Sequence, residues 1–262
     1  MLNKKEYNGA NFSNRSYEQI KKKYIINIHM AKIYCDIAEL DKIKYFKNNP
    51  IVKGFTTNPT LIRKAGAKDY EKYCTKIVKL LKNTKKTVSF EILADDYENM
   101  KKQALKINKW GKNIYVKVPV INSKGKFQGK LIKFLNEKKI KINITAVFSS
   151  EQTSKILNSI DKKSKVIISI FAGRLGDSGK DPLKIIKESI KLAKKFKNVE
   201  ILWASTREAF HYTQSKKIKC HIITVPPEMI DKIQNFGQSA KRLSLKTVKG
   251  FIEDSNKANF VF

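Results

Sequence analysis

Apolar, β-branched runs recur along the chain at 32–37, 51–56, 87–93, 114–120, 140–148, 165–171, 199–204 and 220–225. Each is short and bounded by polar or turn-forming residues, the pattern of strands buried on both faces. Between them lie stretches with apolar residues at three- and four-residue spacing, such as 95–108, 181–196 and 226–236, which predict amphipathic helices. Eight strands, each followed by a helix, predict a single (β/α)8 barrel with parallel strands. The alternative for such alternation is a doubly wound open sheet, but no G-x-G-x-x-G follows the first run to support a dinucleotide site. The expected organisation is a polar basic extension at 1–29, a barrel at 30–236 and a helical tail at 237–262. The Lys21-Lys22-Lys23 run reads as a solvated charge patch. Apolar positions at 243–252 and the terminal Phe260-Val261-Phe262 would dock on a neighbouring subunit or on the same barrel.

One run breaks its own pattern. Ile114-Tyr115-Val116-Lys117-Val118-Pro119-Val120 holds a lysine among strand-forming apolar residues. Desolvation disfavours an ammonium, and a neutral amine attacks carbonyls to form a Schiff base. The plainer reading is that Lys117 snorkels from a strand edge into water. Its context decides against that: barrel chemistry sits at the carboxyl ends of the strands. The polar residues there are Asp36, Thr57 with Asn58, Glu91, Lys117, Thr145, Ser169 with Arg174, and Ser205 with Arg207. Singly, Thr145 or Ser169 is equally a satisfied group in a core, and either arginine half of a surface ion pair. Together they describe a polar, cation-tipped pocket on one rim.

Composition narrows the class. At 262 residues, 41% hydrophobic and 10% aromatic, the chain fits one soluble barrel. No apolar run is long enough to cross a bilayer, and the polar amino terminus lacks a signal-like centre, so the expected compartment is the cytoplasm. The net charge of +32 raises nucleic acid as a partner. Only five of the 55 basic residues are arginine, however, and the lysines are spread along the chain without interleaved aromatics. Specific nucleic-acid recognition is therefore not expected. Cys35, Cys74 and Cys220 are widely spaced and read as buried, reduced thiols. His29, His211 and His221 are scattered, so neither a metal site nor a cofactor is predicted.

Several segments resemble the transaldolase family, including the small transaldolases and the related fructose 6-phosphate aldolases. Gly54-Phe55-Thr56-Thr57-Asn58-Pro59-Thr60-Leu61-Ile62 is similar to their T-T-N-P-S-L-I signature, and Tyr115-Val116-Lys117-Val118-Pro119 resembles the strand bearing their Schiff-base lysine. Ile144-Thr145-Ala146-Val147-Phe148-Ser149, Ser169-Ile170-Phe171-Ala172-Gly173-Arg174 with Asp177, and Ala204-Ser205-Thr206-Arg207 follow in family order. The likeness spans roughly 31–236, in line with the size of a barrel.

The resemblance implies that Lys117 forms an imine with a ketose phosphate, that Asp36 moves the proton for carbon–carbon cleavage, and that Glu91 with Thr145 positions a water. It further implies that Asn58, Asn143 and Ser169 hold substrate hydroxyls, that Arg174, Ser205 and Arg207 grip phosphate, and that Phe171 is a further substrate-binding residue. The expected activity is transfer of a three-carbon dihydroxyacetone unit between sugar phosphates, by default in the pentose phosphate pathway, by a homo-oligomer without a cofactor. The alternatives are a fructose-6-phosphate aldolase-like lyase and a non-catalytic sugar-phosphate binding barrel. Two departures stand out: Ile121-Asn122-Ser123-Lys124-Gly125 replaces the family's T-x-E-G turn, and Thr206 stands where phenylalanine is common.

Overall fold

All eight apolar runs form strands, trimmed by a residue or two at their ends. The computed structural model describes residues 30–161 and 164–258. The strands are β1 (Lys32–Asp36), β2 (Val52–Thr56), β3 (Thr87–Glu91), β4 (Ile114–Pro119), β5 (Ile142–Val147), β6 (Val166–Ile170), β7 (Val199–Trp203) and β8 (Ile222–Val225). They pair in parallel in sequence order, and β8 closes on β1. This is the (β/α)8 barrel that the alternation predicts, and closure excludes the open sheet.

The connecting helices are α1 (Leu40–Phe46), α2 (Pro59–Lys64), α3 (Tyr70–Leu81), α4 (Tyr97–Asn108), α5 (Gly129–Glu137), α6 (Ser150–Asn158), α7 (Ala172–Asp177), α8 (Pro182–Ala193), α9 (Phe210–Lys217) and α10 (Pro227–Gln234). Their starts are encoded locally: Asn58, Asp69, Asp96, Ser149 and Asp181 each accept a backbone N–H of the helix they precede. Each such cap is worth about 1 kcal/mol. The larger core lies between helices and the outward faces of the strands, where Val116, Val118, Ile142, Ile144, Ile168 and Ile170 are buried. A smaller cluster of Tyr34, Tyr115, Ile167, Leu202, Ala204 and Ile222 fills the barrel interior. Gly54 makes room for the Tyr34 ring, because a Cβ there would lie 2.7 Å from it.

The 120–128 segment that departs from the family turn is a short hairpin, with an antiparallel bridge between Ile121 and Phe127. Ser123 ties it to the β3–α4 loop, donating its N–H (2.7 Å) and hydroxyl (2.6 Å) to the Asp95 carboxylate. These bonds hold Asp95 below the usual carboxylate range. After α10 the chain forms a separate helix, α11 (Ala240–Ala258), which buries no residue. Its Leu245, Val248, Phe251 and Ile252 are 54%, 54%, 68% and 59% exposed, so the apolar positions of this helix do not dock on their own barrel. The 1–29 extension with Lys21-Lys22-Lys23 and His29, and the terminal Phe260-Val261-Phe262, lie outside the described residues. No described helix is long and apolar enough to cross a membrane.

His211 packs against the Trp203 ring, with ring centres 5.2 Å apart, and His221 Nδ1 accepts the Ile201 N–H at 3.0 Å. Cys35, Cys74 and Cys220 are buried thiols, as expected. Burial raises all three, pushing Cys74 and Cys220 up to about 12. The native protein is therefore expected to resist a water-soluble disulfide reagent near neutral pH and to titrate three thiols once denatured. Fast reaction of any thiol in the folded chain would contradict this burial.

Candidate active site

In a closed parallel barrel the strand termini share one rim, and here their polar residues meet around a cavity of about 530 Å3. Of the eleven candidate residues, Asp36, Asn58, Glu91, Lys117, Thr145, Ser169, Phe171, Arg174, Ser205 and Arg207 line it. Asn143 is not part of the wall. Its Nδ2 donates to Ser89 Oγ (3.0 Å) and its Oδ1 accepts from Ser169 Oγ (2.7 Å), so the structure makes it a support for Ser169. Strand register explains the grouping: Glu91 lies opposite Lys117, and Lys117 opposite Asn143, on successive strands.

Lys117 is 6% exposed and does not snorkel. Its Nζ donates to the Thr57 carbonyl at 2.9 Å and stands 3.2 Å from Glu91 Oε2. Its apolar neighbours Val116 and Val118 sit in the outer core, so they do not surround the amine. Alternation along the strand sends Lys117 inward among polar groups. Nζ is thus shielded from water and faces the Glu91 carboxylate.

Asp36 accepts a hydrogen bond from Thr56 Oγ1 at 2.6 Å, and Thr56 shares a further hydroxyl contact with Thr224. Burial raises the Asp36 carboxyl above its ordinary range, more than the attraction of Lys117 and the Thr56 hydrogen bond lower it. Thr145 Oγ1 is buried at the wall without a hydrogen-bond partner among the described residues. A break in register between Ile144 and Val147, with Ala146 at a φ of 57°, turns both Thr145 and Ala146 toward the cavity.

At the other side of the cavity, the Arg174 guanidinium stands over the Phe171 ring at 5.4 Å. Arg207 forms a two-pronged pair with Asp177, Nε at 3.0 Å and Nη2 at 2.6 Å from Oδ2. Hydrogen bonding to Arg207 holds the Asp177 carboxyl below its usual range. Arg207 is therefore both half of a surface ion pair and a wall residue. The Ser205 carbonyl approaches Gly173 so closely that a Cβ at 173 would lie 1.6 Å from it, which makes glycine obligatory there. Thr206 donates to the Thr224 carbonyl at 2.7 Å.

Two functions of the signature segment differ from the reading of side chains on the rim. Thr57 turns its hydroxyl to the Ser89 carbonyl (2.8 Å) and offers Lys117 only its backbone oxygen. Asn58 commits Oδ1 to the Leu61 N–H at 2.9 Å as the cap of α2, while still lining the cavity. Thr56 and Thr224, which brace Asp36, were missed as site residues. Thr224 carries a faint signal, a lone hydroxyl near the carboxyl end of an otherwise apolar strand.

The sequence matches the Transaldolase/Fructose-6-phosphate aldolase family over residues 33–261. The chain belongs to this family. A "Probable transaldolase" of Methanococcus vannielii is 34% identical over 205 residues, covering 78% of this chain and 90% of that one. One of Nitrosopumilus maritimus is 33% identical over 206 residues, covering 77% and 86%. A solved structure from Coccidioides immitis, named a "putative fructose-1,6-biphosphate aldolase", shares the fold at a TM-score of 0.52 and 10% identity, covering 88% of each chain. As a member of the transaldolase and fructose-6-phosphate aldolase family, the chain carries the lysine, the two carboxylates and the two arginines in one cavity.

The raised Asp36 carboxyl has a defined effect on stability. The folded chain binds its proton more tightly than the unfolded chain does, so this group favours folding most below the ordinary carboxylate range and less as pH rises through its folded value. Asp36→Asn keeps an acceptor for Thr56 and removes the charge. It is expected to raise the thermal unfolding midpoint at about pH 7, with the gain shrinking toward about pH 4. A lowered midpoint at neutral pH would mean that attraction to Lys117 outweighs burial.

Proposed function

We propose that the chain is a transaldolase, moving a dihydroxyacetone unit from a ketose phosphate to an aldose phosphate through an imine on Lys117. The observation that supports this most is Lys117 Nζ, buried 3.2 Å from Glu91 in a cavity whose wall also carries Asp36, Arg174 and Arg207. Glu91 is close enough to take a proton from Nζ, whose lone pair then attacks the ketose C2 carbonyl. The carbinolamine loses its hydroxyl as water, held by Glu91 and by the unpartnered hydroxyl of Thr145. Asp36 removes the proton of the C4 hydroxyl, the C3–C4 bond breaks, and its electron pair passes into the protonated imine. The aldose phosphate leaves. The remaining enamine attacks the acceptor aldehyde, Asp36 returns the proton, and water hydrolyses the new imine.

A carboxyl raised by burial suits a group that must take and return a proton near neutral pH. Arg174, Ser205 and Arg207 hold the phosphate, a role in which a guanidinium fork is favoured. Asn58 and Ser169 hold substrate hydroxyls, Asn143 fixes Ser169, and Phe171 forms the wall beneath Arg174. The protonated imine is itself the electron sink, so the reaction as proposed calls for neither metal nor organic cofactor.

Glu91 and Phe171 stand where the fructose 6-phosphate aldolases tend to carry glutamine and tyrosine, which favours transfer over simple cleavage. A non-catalytic sugar-phosphate binder would gain nothing from Lys117, Asp36 and Glu91 together. Borohydride with fructose 6-phosphate is expected to fix a three-carbon adduct on the Lys117 peptide, detected by mass spectrometry. Lys117→Ala should form none and lose activity by about three orders of magnitude or more. Rapid release of dihydroxyacetone without an acceptor aldose phosphate would replace transferase by lyase, and absence of any adduct would leave only the binder.

The same proposal includes assembly. The family match runs through residue 261, so α11 belongs to the family's common length, yet it buries nothing within the chain. A second copy is the occupant proposed for its apolar face. Light scattering should give a multiple of the 30.2 kDa chain, reduced to a monomer by F251D/I252D with helix content unchanged. A monomeric wild type would remove this part of the reading.

A further inference from the structure

The amino-terminal end of the barrel, opposite Lys117, holds a second cavity of about 820 Å3. Lys32, Lys165, Lys194, Lys195 and Lys197 line it, and Glu200 is the single acid among its lining residues. Glu200 is already taken by Lys32 at 2.7 Å. Among the described residues Lys165, Lys194, Lys195 and Lys197 have no carboxylate partner.

The charge continues around the rim. The β5 strand starts beside Lys165, as the Ile142 N–H bonds its carbonyl at 3.2 Å, and β6 starts beside Asn198, which follows Lys197. Burial and the nearby Lys165 ammonium lower the Lys141 side chain below its ordinary range. Lys109, Lys112, Lys139 and Lys141 line an adjoining hollow of about 320 Å3.

Lysines at this end have an ordinary structural use, because helices finish there and expose about half a negative charge each. Lys86 serves that way, donating to the carbonyl of Phe46 at the end of α1 and to that of Asn49 just beyond it, while Lys141 donates to the Lys112 carbonyl in the loop between α4 and β4 at 2.7 Å. Three lysines behind the single helix α8, with Lys165 beside them, exceed what one helix end can offset. Concave placement adds their fields, so the excess acts on one small volume.

We propose that this cavity binds a linear oligophosphate. Ammonium groups act on phosphates as point charges and do not require the planar fork of arginine. Several closely spaced phosphates match several unpaired lysines, and the volume fits a small molecule. The site shares no residue with the Lys117 cavity, so the inference stands independently of the proposed reaction.

Calorimetric titration of the full chain with inorganic triphosphate at physiological salt tests it, since screening there suppresses diffuse surface attraction. One site per chain is expected, weakened about tenfold or more in K165A/K195A/K197A. It should be unchanged in K68A/K76A/K79A, which removes the same charge from exposed positions in and just before α3. All six side chains are exposed, so both variants should fold, as circular dichroism would verify. ATP in place of triphosphate separates a nucleotide from a bare phosphate chain: equal affinity means that the phosphates suffice, and tighter binding identifies a nucleoside. Equal loss in both triple variants would reduce the effect to net charge, and loss in R174A would place the ligand in the other cavity. Either result, or binding of an RNA oligonucleotide in preference to triphosphate, would overturn the proposal.

Discussion

The ion pair between Lys117 and Glu91, 3.2 Å apart inside a closed ring of strands, sets the terms for everything around it. Burying two charges costs several kcal/mol per ion unless both are paired and hydrogen-bonded. The Thr57 carbonyl supplies the additional acceptor, and its position depends on the turn from β2 into α2. That turn is held by the Asn58 cap and by Thr57 bonding twice to the Ser89 carbonyl. The signature segment therefore serves the lysine chiefly through its backbone and its capping geometry.

A polar interior is tolerable because stability is secured elsewhere. The large apolar core runs around the outside of the barrel, between strands and helices, while tyrosines and aliphatic residues fill the interior beneath the site. Polar groups inside are mostly chained to one another, Ser169 to Asn143 to Ser89 and Thr56 to Asp36 and Thr224. Backbone strain is placed with the same economy. Ala146 and Ser205 adopt positive φ at the cavity wall, whereas Lys139 and Lys219 do so just past the ends of α5 and α9, where helices commonly terminate this way.

Arg207 and Asp177 illustrate how one pair can serve two purposes. The carboxylate orients the guanidinium along one edge, and the residue still reaches the cavity wall. Arg207 is thus half of an exposed ion pair and part of the cavity wall at once. Gly173 belongs to the same corner, since the Ser205 carbonyl occupies the space that a side chain would need.

Fold and rim were legible because both follow from local rules. Strands buried on two faces read as continuous apolar runs, capping residues mark helix starts, and nine of the ten polar residues that the rim rule names line one cavity, Thr57 being the exception. What the sequence could not reveal were contacts between strands far apart along it. Thr224 meets Thr56 across 168 positions, and Asn143 reaches Ser89 across 54. Nor could it tell which neighbours enclose Lys117, because alternation turns Val116 and Val118 away from the amine. The pattern along one strand fixes which face a side chain takes, but its partners are set by ring closure and register, which only the assembled barrel supplies.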